Sequence, residues 1–146
     1  LQKATELGVT FFSPLLTERV VVSRKANNSE KKIEKWIQTA KGACEQCGEN
    51  WIPQINDPID FREWSTKSLS KTKLVLYPDA EIKFSDIEIV DSVSIAIGPE
   101  GDFTNAEIEI LQEADFIPVS MGKRILRAET AAISAVSAIR YGAKEF

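Results

Sequence analysis

The sequence of 146 residues contains no histidine. That absence excludes Ser-His and Cys-His nucleophilic pairs, histidine general bases and histidine metal ligands. Chemistry here must come from carboxylates, Lys, Arg, Tyr, Cys, backbone amides or a reactive cofactor. Cysteine is scarce: Cys44 and Cys47 form a lone C-x-x-C. A structural zinc site wants four ligands, and neither a second cysteine pair nor histidine is available, so no metal site is expected. A thioredoxin-like pair sits at a helix start, where the dipole lowers the thiol pKa. This pair falls late in a helical pattern and reads as two helix thiols in a reducing compartment. No apolar run approaches the ~20 residues that span a bilayer. The start, Leu1-Gln2-Lys3-Ala4-Thr5-Glu6, lacks the basic-then-apolar form of a signal peptide. A cytoplasmic location without a membrane partner is the expectation. The chain also lacks an initiator Met, which suggests that the natural N-terminus lies upstream. Positive charge is short as well, with 18 Lys and Arg against 22 Asp and Glu. Domains that hold nucleic acid by charge alone carry a basic surplus, so a basic patch must be local or come from another domain or subunit.

What is present suits one globular domain with a sizeable core, since 43% of the residues are hydrophobic. Leu1 to Leu7 reads as a short helix stopped by Gly8. Val9 to Leu16 reads as a buried strand, and Val20-Val21-Val22 as another extended piece. Asn27-Asn28-Ser29 offers helix caps. From Ile33 through Trp36, Ile37, Ala40, Ala43 and Cys44 to Cys47, apolar residues recur at helical spacing up to Gly48. Trp51 to Ile55 reads as a strand, with Pro53 marking an edge, and Asp57 to Leu69 as a helix. Trp36 and Trp64 sit on periodic apolar faces and read as core residues.

Lys73 to Tyr77 and Ser92 to Ile97 are short buried strands, joined by a polar, acidic connection from Pro78 to Asp91. Thr104-Asn105-Ala106-Glu107 matches a capping box and opens a helix to about Ala114. Phe116 to Ser120 is a strand, Met121 to Arg127 a loop, and Ala128 to about Tyr141 an alanine-rich helix. The alternation argues an α/β fold with a mostly parallel sheet flanked by helices. Ligands in such folds bind beyond the carboxyl ends of strands, which singles out two loops.

The first, Gly98-Pro99-Glu100-Gly101-Asp102-Phe103-Thr104, has two glycines that allow close backbone approach or positive φ, and a stiffening proline. It suits a polar ligand, and equally a plain strand-to-helix turn. It is neither a dinucleotide fingerprint nor a phosphate loop. The second, Met121 to Ala131, sets Arg124 and Arg127 around two apolar residues. Such a loop holds an apolar or aromatic ligand with its backbone and aims Arg at phosphate or carboxylate. It also reads as a basic surface loop before a helix that starts with Glu129 and Thr130. Glu18 and Arg19, after a strand, suit either a cleft or a structural ion pair.

Taken in order, Lys3-Ala4-Thr5-Glu6-Leu7-Gly8, Glu18-Arg19, Glu45-Gln46-Cys47-Gly48, Ile97-Gly98-Pro99-Glu100-Gly101 and Arg124-Ile125-Leu126-Arg127-Ala128-Glu129-Thr130-Ala131 closely resemble the RsmE family. These are 16S ribosomal RNA uridine-N3 methyltransferases of the SPOUT superfamily, and the resemblance spans essentially the whole chain. It implies an α/β fold with a C-terminal trefoil knot, a homodimer, and S-adenosylmethionine held largely by backbone groups of three loops. By position the cofactor residues are Leu76 and Tyr77; Ile97, Gly98, Pro99, Glu100 and Gly101; then Met121, Gly122, Ile125, Leu126, Arg127 and Thr130. The family also carries a small N-terminal PUA-like RNA-binding barrel. This chain begins where that barrel would end, so residues 1–146 are expected to be the catalytic domain alone.

Four positions depart from the family pattern. Asp102 stands where a second Gly is usual, Ala128 where Thr is frequent, Cys47 where Ser is, and Glu49 where Arg is. The implied reaction moves a methyl group from a sulfonium to uridine N3, a weak nucleophile until its proton leaves. Arg124 or Arg127 would stabilise the resulting anion or its phosphate, and Glu129 is a candidate proton acceptor. A non-catalytic RNA-binding or ribosome-assembly module of the same fold is the alternative. A generic nucleotide-binding domain fits less well, because the phosphate motifs are missing.

Overall fold

A central strand buried on both faces, Thr72-Lys73-Leu74-Val75-Leu76, organises the molecule. The computed structural model describes residues 1–19 and 29–144. Residues 20 to 28, with the extended piece and two of the three cap residues expected there, lie outside the described residues.

In chain order the elements are α1 (Gln2–Glu6), β1 (Phe11–Phe12), β2 (Leu15–Leu16), α2 (Ser29–Cys47), β3 (Gln54–Ile55), β4 (Ile59–Asp60), α3 (Phe61–Lys67), β5 (Thr72–Leu76), β6 (Val93–Ala96), α4 (Asn105–Glu113), β7 (Ile117–Val119) and α5 (Ala128–Gly142). A single 3-10 turn, Phe84–Asp86, lies between β5 and β6. The main sheet has three strands in the order β6-β5-β7. All pairings are parallel, with Val75 opposite Ala96 and Leu76 opposite Val119. This is the α/β architecture expected, with parallel strands flanked by helices.

The period-two alternation of β5 divides the core. Val75 joins Phe61, Ala96, Phe103, Ile108, Leu111 and Phe116 beneath α3 and α4. Leu74 and Leu76 point the other way and join Val119, Ala131 and Ala135 of α5. The small side chains of α5 let its backbone lie close to the sheet. Trp64, half-buried, tilts against Phe116 with ring centroids 5.1 Å apart and so packs onto the core.

Several expectations are corrected. Val9 to Leu16 is not one buried strand. It is two short strands on either side of Ser13-Pro14, β1 pairing with β3 and β2 with β4, and Phe11 is 65% exposed. Proline supplies no ladder donor, and Pro14 and Pro58 interrupt both partners at the same level. Trp51 to Ile55 is extended only at β3, and Trp51 is exposed. The helix expected from Asp57 begins only at Phe61, because Asp60 is its N-cap and accepts from the Arg62 amide at 2.9 Å. Trp36 is half-buried rather than core, with the Lys32 ammonium 5.4 Å from its ring centre. The buried face of α2 is instead Ala40, Ala43 and Cys44. Both cysteines are free. Burial, and then Cys47 beside it, push the Cys44 thiol up, which makes it a poor nucleophile.

The connection after β5 is more than polar. Phe84, Ile87 and Ile89 pack on the α5 side of the sheet. The Phe84 amide donates to the Ser120 carbonyl at 2.9 Å, and the Ser120 amide donates to Ile82 at 2.8 Å. Among the described residues, no helix is long and apolar enough to cross a membrane.

Candidate functional site

Because β5, β6 and β7 are parallel and adjacent, their carboxyl ends release three chain segments at one edge: from Tyr77, from Ile97 and from Ser120. These segments and the start of α5 enclose a cleft of about 500 Å³, within the ~300–1,000 Å³ range of small-molecule sites. Its floor is apolar, formed by Leu76, Ile97, Met121, Leu126 and Ala131. Its rim carries Glu100, Arg124, Arg127 and Glu129, all exposed.

The segment after β6 is a tight turn. The Asp102 amide donates to the Pro99 carbonyl at 2.8 Å, and Asp102 has φ +59°, the left-handed region that Asp tolerates better than most residues. Its Oδ1 accepts from the Phe103 amide at 2.8 Å. Gly98 is required by close approach, since a Cβ there would lie 2.6 Å from that Oδ1 and 3.0 Å from the Phe103 nitrogen. The turn leads into the capping box. The Glu107 amide donates to Thr104 Oγ1 at 3.2 Å, and Glu107 Oε2 accepts from the Thr104 amide at 2.9 Å.

Glu107 is 1% exposed and does more than cap. Its Oε1 accepts from the Glu18 amide at 2.8 Å, and the next residue, Arg19, donates through its guanidinium to the Gly101 carbonyl. Glu18 and Arg19 are therefore tied to the cleft loop rather than to each other. Burial pushes the Asp102 carboxyl up. The Phe103 hydrogen bond and the Arg19 charge pull it back, and Asp79 adds to the rise.

The segment after β7 is pinned at Ser120. Its hydroxyl lies 3.3 Å from the Pro78 carbonyl and accepts from the Gly122 amide at 3.3 Å. Gly122 has φ +107° with nothing within 4 Å of a Cβ built on it, so backbone, not side chain, borders the cleft there. Met121 and Leu126 turn inward onto the α5 side of the core, which leaves Ile125 87% exposed. Arg127 occupies the N-cap position of α5 without a side-chain capping bond. Among the described residues neither Arg124 nor Arg127 makes an ion pair.

Fourteen sequence-derived candidates therefore line one cleft: Arg124, Arg127 and Glu129, and from the cofactor set Leu76, Ile97, Gly98, Pro99, Glu100, Met121, Gly122, Ile125 and Leu126, with Asp102 and Ala128, singled out as departures. Tyr77, Gly101 and Thr130 do not line it. The Tyr77 hydroxyl donates to Asn105 Oδ1 at 2.8 Å, Gly101 faces Arg19, and Thr130 is exposed on α5. Pro78 and Ala131 also line the cleft but carry no chemical signal in the sequence. Ser120 was equally silent, because a hydroxyl that pins two loops looks like any surface serine.

The RNA methyltransferase domain family matches residues 1–140. Ribosomal RNA small subunit methyltransferase E of Bacillus subtilis is 37% identical over 97% of this chain and 59% of its own length. A Legionella pneumophila protein solved with the bound cofactor SAM superposes with a TM-score of 0.92 at 38% identity, over 96% of this chain and 58% of that one. Ribosomal RNA small subunit methyltransferase E of Neisseria gonorrhoeae, bound to S-adenosyl methionine, gives 0.89 at 37% identity, over 96% of this chain and 58% of that one. The chain thus spans 58 to 59% of the length of these relatives.

Proposed function

The chain belongs to the RNA methyltransferase domain family, and on that premise we propose that it binds S-adenosylmethionine in the β5-β6-β7 cleft and methylates uridine N3 of 16S ribosomal RNA. The observation that carries this reading is the 38% identical relative solved with bound SAM, taken with the cleft at the carboxyl ends of β5, β6 and β7 here. The residues fit the group. The apolar floor suits an adenine ring, Gly122 leaves main chain open at the wall, and the volume matches a ligand of this size.

S-adenosylmethionine supplies an electrophilic methyl on a sulfonium. The residues of the chain do the rest. The floor holds and orients, and excludes water from one side. Arg127 and Arg124 at the rim stabilise the uridine-derived anion or its phosphate. Glu129, in the first turn of α5, takes the N3 proton. A ribosomal substrate implies a cytoplasmic location. The knotted C-terminal chain is part of the same reading, and an experimental trace of residues 72–142 tests it.

Calorimetric titration with S-adenosylmethionine tests the cofactor site. Saturating ligand at 100 times Kd should stabilise the fold by about 2.7 kcal/mol, a rise in Tm of roughly 5–10 °C for a domain of this size. No heat of binding and no shift in Tm would sink the reading.

The homodimer also belongs to it. Ala138 and Tyr141, three residues apart, and Ile133, eight residues before Tyr141, are exposed on α5. Sedimentation equilibrium should find a dimer, and Ile133→Asp a monomer at the same concentration. A wild-type monomer at high micromolar concentration rules this out.

A further inference from the structure

Asp102 and Ala128 are the two family departures in the cleft lining, and of these only Asp102 carries a charge. Its φ of +59° accounts for the glycine usual at this position, because only glycine adopts that conformation without strain. An aspartate there has to be compensated. Part of the compensation is the Phe103 amide at 2.8 Å on Oδ1. Among the described residues, Oδ2 accepts no hydrogen bond.

The setting of this carboxylate differs from that of every other charge on the cleft. Glu100, Arg124, Arg127 and Glu129 are exposed, whereas Asp102 is half-buried. It lies over Gly98, so tightly that a Cβ at Gly98 would meet Oδ1 at 2.6 Å. Burial disfavours its charge, and Arg19 and the Phe103 amide offset that while Asp79 opposes them. A half-desolvated carboxylate favours a cationic ligand over a neutral one of the same shape, since fewer waters screen the interaction.

Methyl transfer changes one charge in the cofactor. The C–S bond breaks with its electron pair staying on sulfur, the methyl bonds to uridine N3, and the N3 proton leaves to a base. The cationic sulfonium becomes a neutral thioether. We propose that Asp102 is a specificity-determining residue that favours the charged methyl donor over the spent, neutral product. This rests on the cofactor reading above.

Calorimetry on the full chain tests it with S-adenosylmethionine and S-adenosylhomocysteine as paired probes. Asp102→Asn keeps the side chain's shape and its acceptor for Phe103 but removes the charge. It should weaken S-adenosylmethionine roughly fivefold and S-adenosylhomocysteine less than about twofold, and raising salt should narrow the wild-type preference. Asp102→Gly, which relieves the backbone, should show the same loss of preference, and this second variant guards against a local distortion in the first. Equal changes for both ligands, or no change for either, overturn the inference and leave the cofactor site standing. A wild-type chain that binds neither ligand overturns both.

Discussion

Arg127→Ala should reduce methylation of small-subunit RNA by about 10²–10³-fold, the range found when one donor to a developing anion is removed, while cofactor affinity changes less than about threefold. The separation follows from where the residue sits. Arg127 lines the cleft but is exposed on its rim, away from the apolar floor that would hold an adenine. Its backbone carbonyl accepts the 2.8 Å bond from Ala131 that starts α5, and its side chain makes no capping bond. Truncation therefore leaves helix and floor in place and removes only a guanidinium. Arg127→Lys should recover part of the rate, since a point charge replaces a planar fork. Single-turnover kinetics with calorimetry in parallel checks both halves. Full methylation with normal cofactor affinity would remove Arg127 from the mechanism.

Glu107→Ala should cost about 3 kcal/mol of stability, summing a capping box worth ~1 kcal/mol and buried donors left unsatisfied at ~1–3 kcal/mol. Three amide interactions converge on this residue. Its own amide bonds Thr104 Oγ1, and its two oxygens accept from Thr104 and from Glu18, 89 positions earlier in the chain. Chemical denaturation should show the loss as a lower midpoint with an unchanged m-value. Glu107→Gln keeps the volume and one acceptor and should lose less. Glu109→Ala, on the exposed face of α4, should stay within about 0.5 kcal/mol. A loss below about 1 kcal/mol for Glu107→Ala would show that the Glu18 tether carries no weight. The effect should also reach the cleft, because releasing Glu18 loosens Arg19 from the Gly101 carbonyl.

Glu107 marks how far local pattern reaches. Thr104-x-x-Glu107 is a signal within four residues, and both reciprocal bonds of the capping box are present. The tether to Glu18 involves the same carboxylate and left no trace in the sequence, because a partner 89 residues away has no spacing rule. The strands β5, β6 and β7 were legible for a related reason. The apolar runs Leu74 to Leu76, Ile95 to Ile97 and Phe116 to Val119 are too short for a competing helix to fit. The short β1 to β4 pieces were misjudged, since apolar runs around Pro14 and Pro53 register composition but not which ladder positions lack a donor. Phe84, Ile87 and Ile89 were hidden among acidic neighbours, and only their packing against the α5 side of the sheet turns a polar connection into part of the core.

The sequence by itself determined the α/β class, the two loops that line the cleft and the exclusion of histidine chemistry, because each depends on residue type and short-range periodicity. The tertiary structure decided which residues share the cleft. Parallel pairing of β6, β5 and β7 brings Leu76, Ile97 and Met121 to one floor, although they are 45 positions apart along the chain from first to last. It also decided that Asp102 faces that cleft half-buried while Tyr77, Gly101 and Thr130 do not line it. Side-chain direction at a strand end or in a turn depends on one φ angle and one neighbour's packing, and neither leaves a periodic mark in the order of residues.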